Sequence, residues 1–268
     1  MKKLLMLTAV IATAIAVRAQ VTPIDGDNDV GFISVPVPTT GLKVLSVPFE
    51  ACLGSGEAGV LSDLVSTNGM KGASSPADAD QLVVLTTNEA GQSVYYYYWH
   101  KAGYGWETNN TIRLGEDTPE VESPEPASTF KVARGLGFWL KRASDATGTE
   151  LYMQGQLATV SVPVMLDGGT NFTLIGLGAL TTTNLNQVSA ANWGSRYDGG
   201  GAGNMDKLLV VTNANGSYVQ YIYRQSLGKW IDVNQPDGEP QVAIQPGEGF
   251  WYQRRAVADL EFTPVVSE

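Results

Sequence analysis

The sequence predicts an all-β protein made of two tandem homologous domains of β-sandwich or barrel type, with helix confined to short turns. The first observation is a repeated hairpin pattern in residues 80–106 and 206–230. In each, an apolar strand, a polar turn with one glycine and a strand of alternating character lead to a tryptophan. The second observation is composition: 30 glycines in 268 residues and only 16% charged residues are typical of turn-rich β structure.

The first 19 residues are predicted to be a signal peptide. Lys2 and Lys3 precede an apolar run of about 14 residues, shorter than the roughly 20 that a spanning helix needs. Ala19 is a small residue of the kind that a signal peptidase accepts. We therefore expect Sec-type export from a bacterial cell, cleavage near Ala19, and a mature protein that is secreted or held at the cell surface without a membrane span. Residues 20–30 would then form a polar, solvated extension.

The remaining chain divides into two copies, residues 31–155 and residues 156–268, when it is compared with itself. Copy one alone carries an acidic, proline-rich insertion at residues 115–128, whose composition predicts an exposed loop. Several short segments recur in the same order: residues 34–37 and 161–164, 42–48 and 172–177, 61–68 and 185–192, 135–140 and 247–252, and 150–153 and 259–262. This order predicts an internal duplication with six or seven short strands in each copy.

The two hairpins differ in a way that sorts their faces. One alternating set keeps its character between the copies, and we assign it to the core because both copies must fill the same interior: Val94, Tyr96 and Tyr98 correspond to Val219, Tyr221 and Tyr223. The other set changes, and we assign it to the outside: Tyr95, Tyr97 and Trp99 correspond to Gln220, Ile222 and Arg224. The sequence therefore predicts an exposed row of three aromatic side chains, Tyr95, Tyr97 and Trp99, as an interaction site.

A glycine-x-glycine pair stands before a Phe-Trp pair in both copies, at residues 135–139 and 247–251. We expect these glycines to supply a positive φ or a close backbone approach. Residues 171–176, NFTLIG, and residues 246–251, PGEGFW, resemble the "NLIGNP" and "PGQGFFV" patterns of duplicated β-rich modules in secreted bacterial surface proteins. The resemblance implies an extracytoplasmic setting and gives no catalytic residue.

The residues that usually carry chemistry are scarce. His100 is the only histidine and Cys52 the only cysteine, so neither a zinc site nor an internal disulfide can be assembled from these types. Asp25, Asp27 and Asp29 alternate as in a calcium loop, but Val30 stands where that loop needs glycine. We expect no catalytic residues, no cofactor and no metal, with this acidic triplet as a weak calcium candidate.

Net charge excludes another class of partner. Removing Lys2, Lys3 and Arg18 from 17 basic residues leaves 14 against 27 acidic residues, a mature net charge of −13. Such a surface repels nucleic acid, which binds basic stripes. We expect a non-catalytic structural or assembly subunit, of cell-surface or filament type, whose partner is a further copy of itself or another surface protein. The alternative is a carbohydrate-binding module that stacks a glycan on the aromatic row.

Overall fold

The computed structural model describes thirteen segments of the chain. They are residues 19–22, 30–49, 59–87, 93–109, 125–132, 134–156, 164–166, 172–186, 205–212, 216–224, 227–234, 243–255 and 259–262. The predicted signal peptide up to residue 18, the acidic triplet Asp25, Asp27 and Asp29, and Cys52 lie outside these residues.

More than half of the described residues lie in strands and very few lie in helix, which confirms the all-β prediction. The first eight strands are β1 (Ala19–Thr22), β2 (Val30–Pro36), β3 (Gly41–Ser46), β4 (Gln81–Thr87), β5 (Ser93–Lys101), β6 (Gly105–Thr108), β7 (Gly137–Arg142) and β8 (Glu150–Gln156). Helix is limited to one turn, α1 (Leu61–Leu64), and a 3-10 turn at Pro76–Asp78. The next nine strands are β9 (Val164–Leu166), β10 (Phe172–Gly176), β11 (Thr183–Asn184), β12 (Lys207–Val211), β13 (Tyr218–Arg224), β14 (Lys229–Asp232), β15 (Ala243–Ile244), β16 (Gly249–Gln253) and β17 (Leu260–Phe262).

Two five-stranded antiparallel sheets dominate the structure. Sheet one has the strand order β3-β7-β4-β5-β6, and sheet two has the order β10-β16-β12-β13-β14. The predicted hairpins form the β4–β5 pair, with Val84 opposite Tyr96, and the β12–β13 pair, with Leu208 opposite Tyr221. The smaller sheets are β1-β2-β8, β17-β9 and β11-β15.

Each large sheet buries one face in a core of its own. Sheet one packs against β2, β8 and α1, where Leu61, Leu64 and Met153 are fully buried. Sheet two packs against β9 and β17, where Leu166 and Phe262 are fully buried. The segment at residues 61–68, expected to hold one or two helical turns, supplies α1 with two of its four residues in the core.

The core-face assignment of the hairpin tyrosines is confirmed. Tyr98 is fully buried, and Tyr96 packs against the same core with its ring 5.7 Å from Phe130. Tyr223 is 5% exposed in the second core, and Tyr221 packs beside it. Strand alternation accounts for this result, because a residue that fills a shared interior cannot change type freely.

Two predicted loops take part in the fold. Residues 20–22, expected to be solvated extension, lie in β1 and pair with residues 30–32 of β2, whose free edge offers backbone hydrogen-bonding groups. The end of the predicted exposed insertion is also structural, since Ala127 is 2% exposed and the Tyr98 hydroxyl donates to the Glu125 carbonyl at 2.9 Å. Composition missed both because backbone pairing depends little on side-chain polarity.

The two sheets meet edge to edge through contacts that come in matched pairs. The Ser46 N–H donates to the Gly247 carbonyl at 2.9 Å, and the Gly176 N–H, at the position matched to Ser46, donates to the Gly135 carbonyl at 2.8 Å. Short bridges accompany them, joining Leu45 to Glu248 and Leu136 to Ile175. We call this contact the seam.

The glycine pairs before Phe-Trp explain how the seam closes. Gly135 and Gly247 adopt φ of 80° and 74°, in the left-handed region. Gly137 and Gly249 provide the close approach: a β-carbon at Gly249 would lie 2.5 Å from the Leu45 carbonyl oxygen, and one at Gly137 would lie 2.7 Å from the Leu174 carbonyl carbon. Both expected reasons for glycine are confirmed, at different positions of the motif.

The close backbone approach at the seam predicts that two glycine-to-alanine substitutions lower the free energy of unfolding. Alanine in place of a strand glycine ordinarily stabilises a protein by about 0.4–1 kcal/mol. At Gly137→Ala and Gly249→Ala we expect instead a loss of about 1–3 kcal/mol, because the new methyl group overlaps backbone across the seam. Urea unfolding measures the difference. Gly216→Asn is the matched control, since Gly216 has φ of 85°, no atom within 4 Å of an added β-carbon, and a conformation that asparagine tolerates. Stabilisation by both alanines would contradict the seam.

Candidate functional site

A chain of aromatic rings crosses the outer faces of both sheets at the seam. The Tyr95 ring stacks on Trp139 with centroids 5.9 Å apart, and Trp139 lies 5.0 Å from Trp251 of sheet two. Trp251 then meets Phe172 edge-on at 6.0 Å. We call these four residues the aromatic seam. Tyr95, Trp139 and Trp251 are half-buried and Phe172 is 41% exposed, so the rings support one another and still meet solvent.

The aromatic seam is symmetric between the sheets at its two tryptophans. Trp139 and Trp251 occupy matched positions next to the paired glycines, as do Leu42 and Phe172 at the start of the edge strands β3 and β10. Leu42 is 39% exposed, close to the 41% of Phe172. Large apolar side chains exposed at matched positions form one surface that extends across both sheets.

The predicted row Tyr95, Tyr97 and Trp99 is only partly exposed. Tyr95 and Tyr97 are half-buried. The pKa of the Tyr97 hydroxyl is raised, mainly by burial and to a smaller extent by the neighbouring Tyr95. Trp99 is only 8% exposed, so its assignment to an open surface is wrong. The matched side of sheet two is also partly covered, because Ile222 is 6% exposed and clusters with Met205 and Ile231. Alternation gave the side of the sheet but not which parts of it are covered by other chain segments.

Each core contains an ion pair that sequence reasoning missed. In the first, Asp80 and Arg142 are fully buried with the Arg142 Nη1 3.3 Å from the Asp80 Oδ2. The Asp80 carboxylate also accepts the backbone N–H groups of Lys71 at 2.7 Å and Ala143 at 2.8 Å. Burial lowers the pKa of the Arg142 guanidinium, and the Asp80 carboxylate opposes that shift.

The second core repeats the arrangement at the matched positions. The Arg254 Nη1 donates to the Asp206 Oδ2 at 2.9 Å, and the Arg255 N–H donates to the Asp206 Oδ1 at 2.8 Å. The Tyr252 hydroxyl adds a third bond, at 2.7 Å. Both aspartates open the repeated hairpin, and both arginines stand three residues after the tryptophan of the Phe-Trp pair, so the signal was present in the repeat. These carboxylates are saturated by donors from their own fold, which makes them structural anchors.

Of the residues considered for catalysis and metal binding, the structure describes His100. The His100 ring on β5 lies 5.9 Å from the Trp106 ring, and its Nδ1 is buried with no hydrogen-bond partner. Within the thirteen described segments, no group of three or more His, Cys, Asp or Glu side chains could hold a metal ion. The calcium candidate Asp25, Asp27 and Asp29 falls in residues that the structure does not describe.

A second candidate site is a polar cavity of about 780 Å³ beside sheet one. It lies between α1, β6, β8 and residues 126–128, at the end of the predicted acidic insertion. The side chains at this cavity that bear hydroxyl, carboxylate or amide groups are Ser62, Asp63, Ser66, Thr67, Tyr104, Glu107, Thr108, Ser128 and Gln154. Sequence reasoning missed this site, because its members come from four separated segments.

No protein-family profile, curated protein or solved structure matches the chain. In the part of the chain that the structure describes, no helix is both long and apolar enough to cross a membrane.

The buried ion pairs predict a large and specific stability effect. Asp80→Asn places an amide where the carboxylate accepts two backbone N–H groups, and it leaves the buried Arg142 without its counter-charge. We expect each of Asp80→Asn and Asp206→Asn to lower the free energy of unfolding by about 3–5 kcal/mol, the usual cost of breaking a buried pair. Asp145→Asn is the control, because the Asp145 side chain is 70% exposed in its pair with Lys71. Equal urea midpoints for Asp80→Asn and Asp145→Asn would refute the anchor role.

Proposed function

We propose that the chain is an internal duplication whose two copies, residues 31–155 and 156–268, are homologous β-sandwich-like domains. Three observations support the proposal. The strand orders of the two sheets agree position by position, the buried Asp–Arg pairs recur at matched positions, and the seam contacts occur as matched pairs. Equivalent surfaces that meet through equivalent residues are the hallmark of a two-fold contact, here within one chain.

We further propose that the protein is a non-catalytic extracytoplasmic assembly subunit that associates with copies of itself. The observation that carries this proposal is the aromatic seam, where four rings in mutual contact remain partly open to solvent. Aromatic residues are enriched at protein interfaces and often dominate their energetics. The signal-peptide pattern and the single cysteine support an exported protein that is held together by its cores.

The large apolar side chains at matched positions of both sheets favour a second copy as the occupant. A surface that carries Trp139, Trp251 and the matched pair Leu42 and Phe172 presents similar features in both halves. Such a surface can meet the same surface of another molecule in an isologous contact, residue against matched residue. Growth from that pair into a layer or filament then requires a second contact elsewhere on the subunit.

Exchanging residues between matched positions tests the assembly surface with little risk to the fold. The double variant Tyr95→Gln, Phe172→Leu replaces each ring with the residue found at the matched position, Gln220 or Leu42. We expect it to remain folded and to weaken self-association by at least about tenfold, since truncated interface aromatics commonly cost more than 1 kcal/mol. Sedimentation velocity over a concentration series measures the effect.

The control for this variant is Tyr218→Ser, which removes a tyrosine that is 56% exposed on β13 and introduces the residue of the matched position. It should associate like the wild type. A wild type that stays monomeric at every concentration, with no assemblies in electron micrographs, would reject self-association as the function.

The expectation that no metal is needed has its own test. Dialysis of the mature protein against a chelator should leave the thermal midpoint unchanged, because its two cores and buried ion pairs need no ion. Calorimetry with and without added calcium measures this. If dialysis instead lowers the thermal midpoint by many degrees, Asp25, Asp27 and Asp29 become the candidate calcium ligands.

A further inference from the structure

We propose that the polar cavity between α1 and β6 binds a neutral saccharide. This site is separate from the aromatic seam: none of the cavity's residues belongs to that surface. The proposal therefore adds a ligand to the protein and does not depend on self-association.

The size and position of the cavity suit a short oligosaccharide. Its volume of about 780 Å³ lies within the range of about 300–1,000 Å³ that is typical of small-molecule sites. Its wall is built from rigid parts, because α1 packs its Leu61 and Leu64 side chains into the core and β6 is hydrogen-bonded along β5. The carboxylates of Asp63 and Glu107 therefore lie on elements whose positions are fixed by packing.

The hydrogen-bonding groups of the wall match a ligand rich in hydroxyl groups. Asp63 and Glu107 are carboxylates, which accept hydrogen bonds, and bonds that involve a charged partner are the stronger ones. The neighbouring serine and threonine hydroxyls can both donate and accept. A saccharide offers adjacent hydroxyl groups that do the same, so both kinds of wall group can be satisfied at once.

The charge of the wall argues against an anionic ligand. Among the described residues that line the cavity, none is Lys, Arg or His, while two are carboxylates. A phosphate, sulfate or uronic acid placed between Asp63 and Glu107 would be repelled. A cation is less well served than a polyol, because the Lys101 ammonium already lies over the Tyr104 ring and hydroxyl groups outnumber carboxylates among the described lining residues.

Tyr104 supplies the flat apolar surface that saccharide recognition also needs. Its side chain is 74% exposed at the cavity, and the Lys101 ammonium lies 4.4 Å from its ring centroid. That contact occupies one face of the ring and leaves the other for the C–H face of a sugar. Trp106 forms part of the cavity wall and is held there by its indole N–H, which donates to the Val65 carbonyl at 2.8 Å. Residues 224–229 of the second hairpin contain no aromatic residue, so the platform is particular to the first copy.

Titration calorimetry of the mature full-length protein tests the site, with cellobiose, maltose and diacetylchitobiose as neutral probes and with spermidine and inorganic phosphate as charged probes. We expect at least one neutral disaccharide to bind. Tyr104→Ala should weaken that binding about tenfold or more, as truncation of a central aromatic does. Tyr104→Phe should bind as the wild type, because it keeps the ring. The double variant Asp63→Asn, Glu107→Gln should bind more weakly, because it replaces charged hydrogen-bond acceptors with neutral ones.

Two controls separate this site from the assembly surface. Tyr218→Ser and the double variant Tyr95→Gln, Phe172→Leu should both bind the disaccharide with wild-type affinity. Failure of every neutral probe to bind the wild type would overturn the proposal, and binding of spermidine alone would replace it with a cation site. Undiminished binding to Tyr104→Ala would place the saccharide elsewhere. None of these outcomes depends on whether the protein self-associates.

Discussion

The rest of the structure depends on the close approach of two backbones at the seam, where the edge of one five-stranded sheet meets the edge of the other. The Ser46–Gly247 and Gly176–Gly135 hydrogen bonds have N···O distances of 2.9 and 2.8 Å, and only glycine at positions 137 and 249 leaves room for this backbone approach. The Lys43 ammonium and the Glu248 carboxylate, 2.6 Å apart, add a polar contact at the rim. Because each tryptophan stands two residues after one of these glycines, the seam also fixes where Trp139 and Trp251 meet.

The buried ion pairs secure each sheet at its other end. Asp80 and Asp206 lie at the start of β4 and β12, and their carboxylates hold the segment that follows β7 or β16 through the N–H of Ala143 or Arg255. Replacing such a pair with apolar residues often leaves stability unchanged, so the pair itself does not account for the stability of the fold. What it supplies is register, because a carboxylate that accepts bonds from named backbone groups is satisfied in one alignment of the strands.

The two halves share their interiors and differ on their surfaces, which is where function is carried. Tyr98 and Tyr223 fill matched places in the two cores, while the Tyr104 platform and the acidic insertion belong to the first copy alone. Under the proposed duplication, both copies keep the architecture and the seam, and the first carries the polar cavity lined by Tyr104. Self-association through the aromatic seam and saccharide binding at the cavity would then operate at separate places on one subunit.

The sequence by itself determined the fold class, the hairpins and the interior tyrosines, because strand alternation and turn glycines act over a few residues. It also determined that Gly135, Gly137, Gly247 and Gly249 were needed for backbone reasons. Only the tertiary structure decided that Trp99 is covered, that residues 20–22 pair with β2, and that Asp80 meets Arg142. Each of these depends on segments that are distant in sequence, and local patterns carry no information about which surface another segment will cover. The cavity at Tyr104 could not be predicted for the same reason. Its wall combines α1, β6, β8 and the end of the insertion, and residue spacing along the chain does not show that these segments are close in space.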